Sequence, residues 1–274
     1  MNLTLSEETL NKETQLIELI KSYKKVLVAF SGGVDSTYLL AIAHEALGQN
    51  CQAVFACGPM VSAQEQTSAL NLAQMYNFPV KVIDINVMEL QAFRDNPPDR
   101  CYFCKKELFA TFLSVGKRMG YTTLIEGTNA SDNHDYRPGR KALKELKIIS
   151  PLLEVGLKKE EIRALSRCRN LLTWDKPSMA CLASRVPYGD MITLELLTRI
   201  AQAEALLNSL GFNECRLRVH QDIARIEIPI QAFTSLIQKH TEIVTAIKKL
   251  GFRFVTLDLE GLRSGSLNPD QKDD

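Results

Sequence analysis

The sequence predicts an α/β protein with a parallel sheet, followed by a small α+β domain. Three observations carry this. Apolar strand-like runs alternate with amphipathic helical patterns through the first half of the chain. The run Ser31-Gly32-Gly33-Val34-Asp35-Ser36 follows directly on the apolar Val26-Leu27-Val28-Ala29-Phe30, at a strand-to-helix junction. After Gly189 the rhythm changes to helix, paired strands, helix and strand.

In order, the pattern gives a helix over 6–22, a strand over 26–30, a helix over 36–47, a strand over 52–57, a helix over 62–77 and a strand over 80–85. A helix over 105–119, a strand over 122–126 and a helix over 158–169 continue it. Such βαβ repetition places helices on both faces of a parallel sheet and ligands at the strands' carboxyl ends. Three long irregular stretches interrupt it, over 94–102, 128–139 and 174–189; loops of that length usually carry function or disorder, and the unusual chemistry in each favours function. Beyond them come a helix over 193–210 stopped by Gly211, strands over 214–220 and 223–228, a helix over 231–250 stopped by Gly251, and a strand over 252–258. The two-residue link Gln221-Asp222 implies an antiparallel pair. The expected domains are therefore 1–188 and 189–274, the second serving substrate binding or oligomerisation.

The loop Ser31, Gly32, Gly33, Val34, Asp35, Ser36 reads as a pyrophosphate cradle. Paired glycines let the backbone approach an anion, and the following helix presents its free N–H groups. The common phosphate loop ends in Gly-Lys-Ser/Thr, whose lysine reaches the terminal phosphates; here Asp35 stands instead, suited to Mg²⁺. That points to ATP cleaved between its α and β phosphates, giving an adenylated substrate and pyrophosphate.

With 33 basic and 32 acidic side chains in 274 residues, net charge is +1, without the basic footprint of a nucleic-acid binder. No leader pattern or long apolar run is present, so a cytoplasmic location and no membrane partner are expected. Seven cysteines, an odd number, argue for a reducing compartment where thiols serve as ligands or nucleophiles. Cys101 and Cys104 form a C-x-x-C expected in the loop introduced by Pro97-Pro98, and Cys181 lies in the later irregular loop. Three thiolates can hold a 4Fe-4S cluster with one iron open to a labile sulfide, whereas structural zinc wants four closed ligands. Cys51, Cys57, Cys168 and Cys215 fall at strand or helix ends and read as small core residues.

Several motifs occur together: the loop 31–36; Gly127-Thr128-Asn129 with Asp135-Tyr136-Arg137-Pro138-Gly139; Cys181 with Ser184-Arg185-Val186-Pro187-Tyr188-Gly189; and Arg216-Leu217-Arg218-Val219-His220 with Asp222-Ile223-Ala224-Arg225-Ile226-Glu227. In this combination the chain resembles the LarE family. These are ATP-dependent sulfur transferases of nickel-pincer nucleotide cofactor biosynthesis, which serves lactate racemase. The resemblance implies an adenine nucleotide alpha hydrolase-like fold in the first domain. It implies an activity in which a carboxylate of pyridinium-3,5-biscarboxylate mononucleotide is adenylated and then converted to a thiocarboxylate. One family type sacrifices the sulfur of the cysteine matching Cys181; the other has three cysteines holding a 4Fe-4S cluster, and Cys101, Cys104 and Cys181 look like that type.

The resemblance further implies nucleotide contact at Gly127 and substrate contact at Arg216 and Arg218. Asp135 and Arg137 are read as contacts to nucleotide or substrate or as a structural ion pair, and Arg185 as a group that steers an anionic substrate or raises thiolate character at Cys181, or as a brace of its loop. Arg216 and Arg218 flank Leu217 on a strand, so both guanidinium groups face one side. Glu204 and Glu227 match acidic positions of a metal or phosphate site between subunits, although Pro229 to Ser235 lacks the further acidic residue expected there. The expected partner is a small nucleotide substrate, with a homo-oligomeric ring, a hexamer among the forms implied. The competing readings are a tRNA thiolase of the same loop class, a non-catalytic iron–sulfur nucleotide sensor and an amidotransferase-like ligase. Near-neutral charge and the C-terminal motif oppose the first; Asp35, a magnesium ligand suited to turnover, opposes the second.

Overall fold

The structure is a computed structural model that describes residues 5–134, 138–177, 181–263 and 265–267. It resolves into two compact units, one formed by 1–58, 65–86 and 101–179, the other by 59–64, 87–100 and 180–274.

The first unit is built on strands β1 (Val26–Phe30), β2 (Cys51–Cys57), β3 (Val80–Asp84) and β4 (Leu124–Ile125), in the order β3-β2-β1-β4 with every pairing parallel. The helices are α1 (Glu7–Ser22), α2 (Val34–Leu47) and α3 (Ala63–Met75), then, past the short α4 (Gln91–Arg94) of the second unit, α5 (Arg100–Arg118), α6 (Gly139–Glu145), α7 (Pro151–Glu154) and α8 (Lys159–Cys168). Val26, Val28 and Phe30 pack in one buried core with Leu16 and Ile20 of α1, Tyr38 and Ile42 of α2, and Ile162 and Leu165 of α8. Leu27 alternates to the other face, where a Cβ on Gly116 of α5 would lie only 2.7 Å from its Cδ2. Burial on both faces explains why β1 is an unbroken apolar run.

The second unit carries α9 (Leu194–Ser209), the hairpin β5 (Arg216–His220) and β6 (Ile223–Glu227), α10 (Phe233–Gln238), α11 (His240–Lys249) and β7 (Phe254–Leu257). The strand order is β5-β6-β7; β5 and β6 are antiparallel, as the Gln221-Asp222 link requires, and β7 runs parallel to β6. Gln221 takes φ +54°, which closes the two-residue turn.

Two expectations are corrected. Cys101 and Cys104 are not in a loop: α5 begins at Arg100, because a turn closed by the Arg100 N–H on the Pro97 carbonyl starts the helix earlier than Pro97-Pro98 suggested. The helix over 231–250 is split between Gln238 and His240. There the Lys239 ammonium donates to the Leu210 carbonyl at 2.7 Å, and His240 Nδ1 lies 2.9 Å from the Ile237 carbonyl.

Candidate active site

The first turn of α2 and the loop before it form the site. Gly32 adopts φ +71°, a left-handed conformation open to glycine, and a Cβ there would lie 2.5 Å from Ala69 Cβ on α3. Gly33 is the N-cap of α2 and offers no side chain to its open N–H groups. The first helical hydrogen bond runs from the Thr37 N–H to the Gly33 carbonyl at 3.0 Å, so the preceding amides face the loop. Ser36 Oγ accepts from the Ser31 N–H at 3.2 Å and lies 2.9 Å from Ser31 Oγ, which closes the loop on itself.

Gly127, just past β4, completes the cradle. A Cβ at that position would stand 3.0 Å from the Ser36 nitrogen and 3.2 Å from the Asp35 carbonyl carbon, so backbone meets backbone there. The segment that follows is held by a buried carboxylate: Glu126 accepts from the Thr128 N–H at 3.0 Å, the Thr128 hydroxyl at 2.9 Å and the Ser150 hydroxyl. Ser31, Gly32, Gly33, Val34, Asp35, Ser36 and Gly127 are thus brought together at the carboxyl ends of β1 and β4.

Two lysines that sequence reasoning missed border this loop. Lys159 Nζ bonds Asp35 Oδ2 at 2.5 Å, while Asp35 Oδ1 is buried and, among the described residues, has no hydrogen-bond partner. Lys176 Nζ donates to the Gly32 carbonyl at 3.0 Å, and burial pushes its pKa down, against an opposing pull from Glu65. Arg163 fixes that lysine's backbone by donating to the Trp174 and Lys176 carbonyls at 2.6 and 2.8 Å. Nothing in their own residue types marked either lysine: Lys159 opens a charged helix, and Lys176 lies inside the irregular stretch 174–189, which was marked as a whole but not at this residue.

In the second unit, Arg216, Arg218, Arg225 and Glu227 share one face of the hairpin, with Leu217, Val219, Ala224 and Ile226 buried on the other. Glu227 is fully buried; it accepts from Arg218 Nε and Arg225 Nη2 at 3.0 Å each and from the Ser266 hydroxyl at 2.6 Å. Arg218 also donates to the Ser184 carbonyl at 2.8 Å, and burial lowers its pKa against the pull of Glu227. Arg185 pairs through two nitrogens with Glu204, at 2.8 and 3.0 Å, and Glu204 takes the Leu217 N–H as well. Arg216 donates to the Cys215 carbonyl at 2.8 Å.

The cysteines divide between the units. Cys101 and Cys104 are in the first, one helical turn apart on α5, exposed and half-buried; Cys181 is in the second, exposed, immediately before a short 3-10 turn over Leu182–Arg185. Among the described residues, no three His, Cys, Asp or Glu side chains are gathered as a metal site. Burial pushes the Cys51 and Cys215 thiols up to about 12, the reverse of what a reactive thiol needs. Asp135 and Arg137 lie outside the described residues.

Residues 9–110 match the NAD synthase family. The chain is 40% identical over 260 residues to the uncharacterized protein slr1717 of Synechocystis sp., covering 94% of this chain and 97% of that one. It is 35% identical over 258 residues, 94% of each chain, to the pyridinium-3,5-bisthiocarboxylic acid mononucleotide synthase of Lactiplantibacillus plantarum. A shorter match, 27% identical over 163 residues, covers 52% of this chain and 30% of the glutamine-hydrolyzing GMP synthase of Rhodopseudomonas palustris. No helix among the described residues is long and apolar enough to cross a membrane.

Proposed function

The chain belongs to the LarE family, and from that premise we propose that it is an ATP-dependent sulfur transferase acting on pyridinium-3,5-biscarboxylate mononucleotide. A carboxylate oxygen of the substrate attacks the α-phosphorus of ATP, the α–β bridge bond breaks and pyrophosphate leaves. A sulfur nucleophile then attacks the acyl carbon of the adenylate. The C–S bond forms, AMP departs and a thiocarboxylate remains. One observation carries the reading: a glycine-only approach of residue 127 to the α2 start beside Asp35, in a chain related to that synthase over nearly its whole length.

The chain's own groups divide the work. Ser31 to Ser36 with Gly127 bind and orient the triphosphate, their amides facing the charge that grows on the leaving pyrophosphate. The buried Oδ1 of Asp35, without a partner among the described residues, fits Mg²⁺, which when bound screens the phosphates from the attacking carboxylate. Cys101, Cys104 and Cys181 would hold a 4Fe-4S cluster; none is in a disulfide, and the helical spacing of the first two suits a shared ligand set. That cluster would supply the sulfide. Arg185, Arg216 and Arg218, with Asp135 and Arg137, are assigned to the anionic substrate; Glu204 and the wholly buried Glu227 are the carboxylates that fix Arg185 and Arg218 in place rather than a subunit-interface site. Adenylation falls to 1–188 and substrate binding and ring assembly, as a hexamer, to 189–274. The setting is cytoplasmic maturation of lactate racemase.

Anaerobically purified protein, given ATP, Mg²⁺ and the pyridinium substrate, is expected to release pyrophosphate and AMP and yield a product in which sulfur replaces oxygen. Release of pyrophosphate without the pyridinium substrate, or none with it, overturns the reading.

A further inference from the structure

The loop lacks the lysine that other phosphate loops place on the terminal phosphates, so positive charge for the β- and γ-phosphates has to come from elsewhere. Two ammonium groups stand at hand, and one of them occupies an unusual place. Lys159 Nζ sits on Asp35 Oδ2 at 2.5 Å, on the carboxylate that suits Mg²⁺, while the neighbouring Oδ1 is buried and without a partner among the described residues. The Lys159 backbone is fixed at the first residue of α8, its N–H donating to Ser131 Oγ at 3.0 Å. Its four-carbon stem is free to redirect the charge. With 28% and 21% of the two side chains exposed, an incoming nucleotide can reach the pair.

We propose that Lys159 is an exchangeable counter-ion of the pyrophosphate loop. It neutralises Asp35 while no nucleotide is bound, and it transfers to the β- and γ-phosphates when a divalent cation takes its place on the carboxylate. Lys176, held on the Gly32 carbonyl, is the second ammonium at the loop and keeps its place throughout. Lys159 is thereby a positioning residue for the departing pyrophosphate, and its two roles pull in opposite directions: it competes with the metal and assists the phosphates. The inference rests on the nucleotide-site reading above.

The test measures binding without turnover. Mn²⁺ alone is titrated into nucleotide-free protein and followed by its electron paramagnetic resonance signal. Separately, α,β-methylene ATP is titrated calorimetrically at saturating Mg²⁺. Lys159→Met is expected to bind Mn²⁺ about fivefold more tightly, the worth of a partly exposed ion pair. The same variant is expected to bind the analogue about tenfold more weakly, the worth of one charge-assisted contact. Lys159→Arg keeps the charge and is expected to retain most of the analogue affinity. A Lys159→Met variant in which both affinities fall, as a merely structural lysine would give, or in which neither moves, overturns the proposal. Wild-type protein that binds Mn²⁺ but no analogue removes the nucleotide-site reading and this inference with it.

Discussion

Replacing Gly32 by Ala asks two separate things of the loop. The residue sits at φ +71°, where an L side chain costs about 1–2 kcal/mol. The new methyl would also lie 2.5 Å from Ala69 Cβ and 3.0 Å from Ala69 Cα, an overlap that backbone or helix must yield to at about 1–3 kcal/mol. Together the loss is about 2–5 kcal/mol if the two costs add. Trp174, the single tryptophan, lies in the same unit as the loop and reports its unfolding in urea. Its surroundings are well defined, with Arg167 over the ring at 4.7 Å. The double variant Gly32→Ala/Ala69→Gly removes the methyl–methyl overlap and leaves the backbone cost, so a double-mutant cycle is expected to show coupling of about 1–3 kcal/mol. Affinity for α,β-methylene ATP should fall in the single variant and recover in part in the double. A Gly32→Ala protein within about 0.5 kcal/mol of wild type, with no coupling to position 69, would refute the close-approach argument.

Other outcomes follow from the same geometry. Glu227→Ala strips the fully buried partner from Arg218 and Arg225, leaving an uncompensated guanidinium; calorimetric unfolding is expected to lose about 3–5 kcal/mol, with Glu227→Gln intermediate. Burial alone would raise the Glu161 pKa, but the Lys158 N–H and the Lys12 ammonium outweigh it and hold the carboxyl below its ordinary 4.5. Its contribution is therefore full above that value and lost as pH falls through the lower, folded one; Glu161→Gln should flatten the acid limb of a stability-versus-pH curve. Cys101→Ala is expected to lower iron and acid-labile sulfide in anaerobic preparations and to end multiple turnover, while leaving analogue binding intact. Wild-type protein without iron would remove the cluster from the proposal.

The parallel sheet was legible in the sequence because its strands are short and bounded and alternate with helical patterns: 26–30 is an unbroken apolar run, and the glycines after it marked the loop. The antiparallel β5–β6 hairpin was legible from the two-residue link at 221–222, and the common face of Arg216 and Arg218 from strand alternation. Proximity across the chain was not. Lys159 reaches Asp35 across 124 residues and Lys176 reaches Gly32 across 144, and a lysine's local sequence carries no mark of which distant oxygen it will find. The start of α5 is not legible for a related reason: a hydrogen-bonded turn at Pro97 decides it rather than side-chain periodicity.

The amino-acid order by itself fixed the strand-and-helix rhythm and the glycines that admit an anion, because these depend on residue type and local spacing; it did not sort the thiols, since Cys168, expected in the core, is exposed and Cys57 is half-buried. Only the folded chain decided which cation faces which carboxylate, how Gly127 presses on the first turn of α2, and that Glu227 is wholly enclosed by two arginines and Ser266. Those outcomes depend on packing between elements far apart in the sequence, where a shift of one ångström changes a contact into a clash.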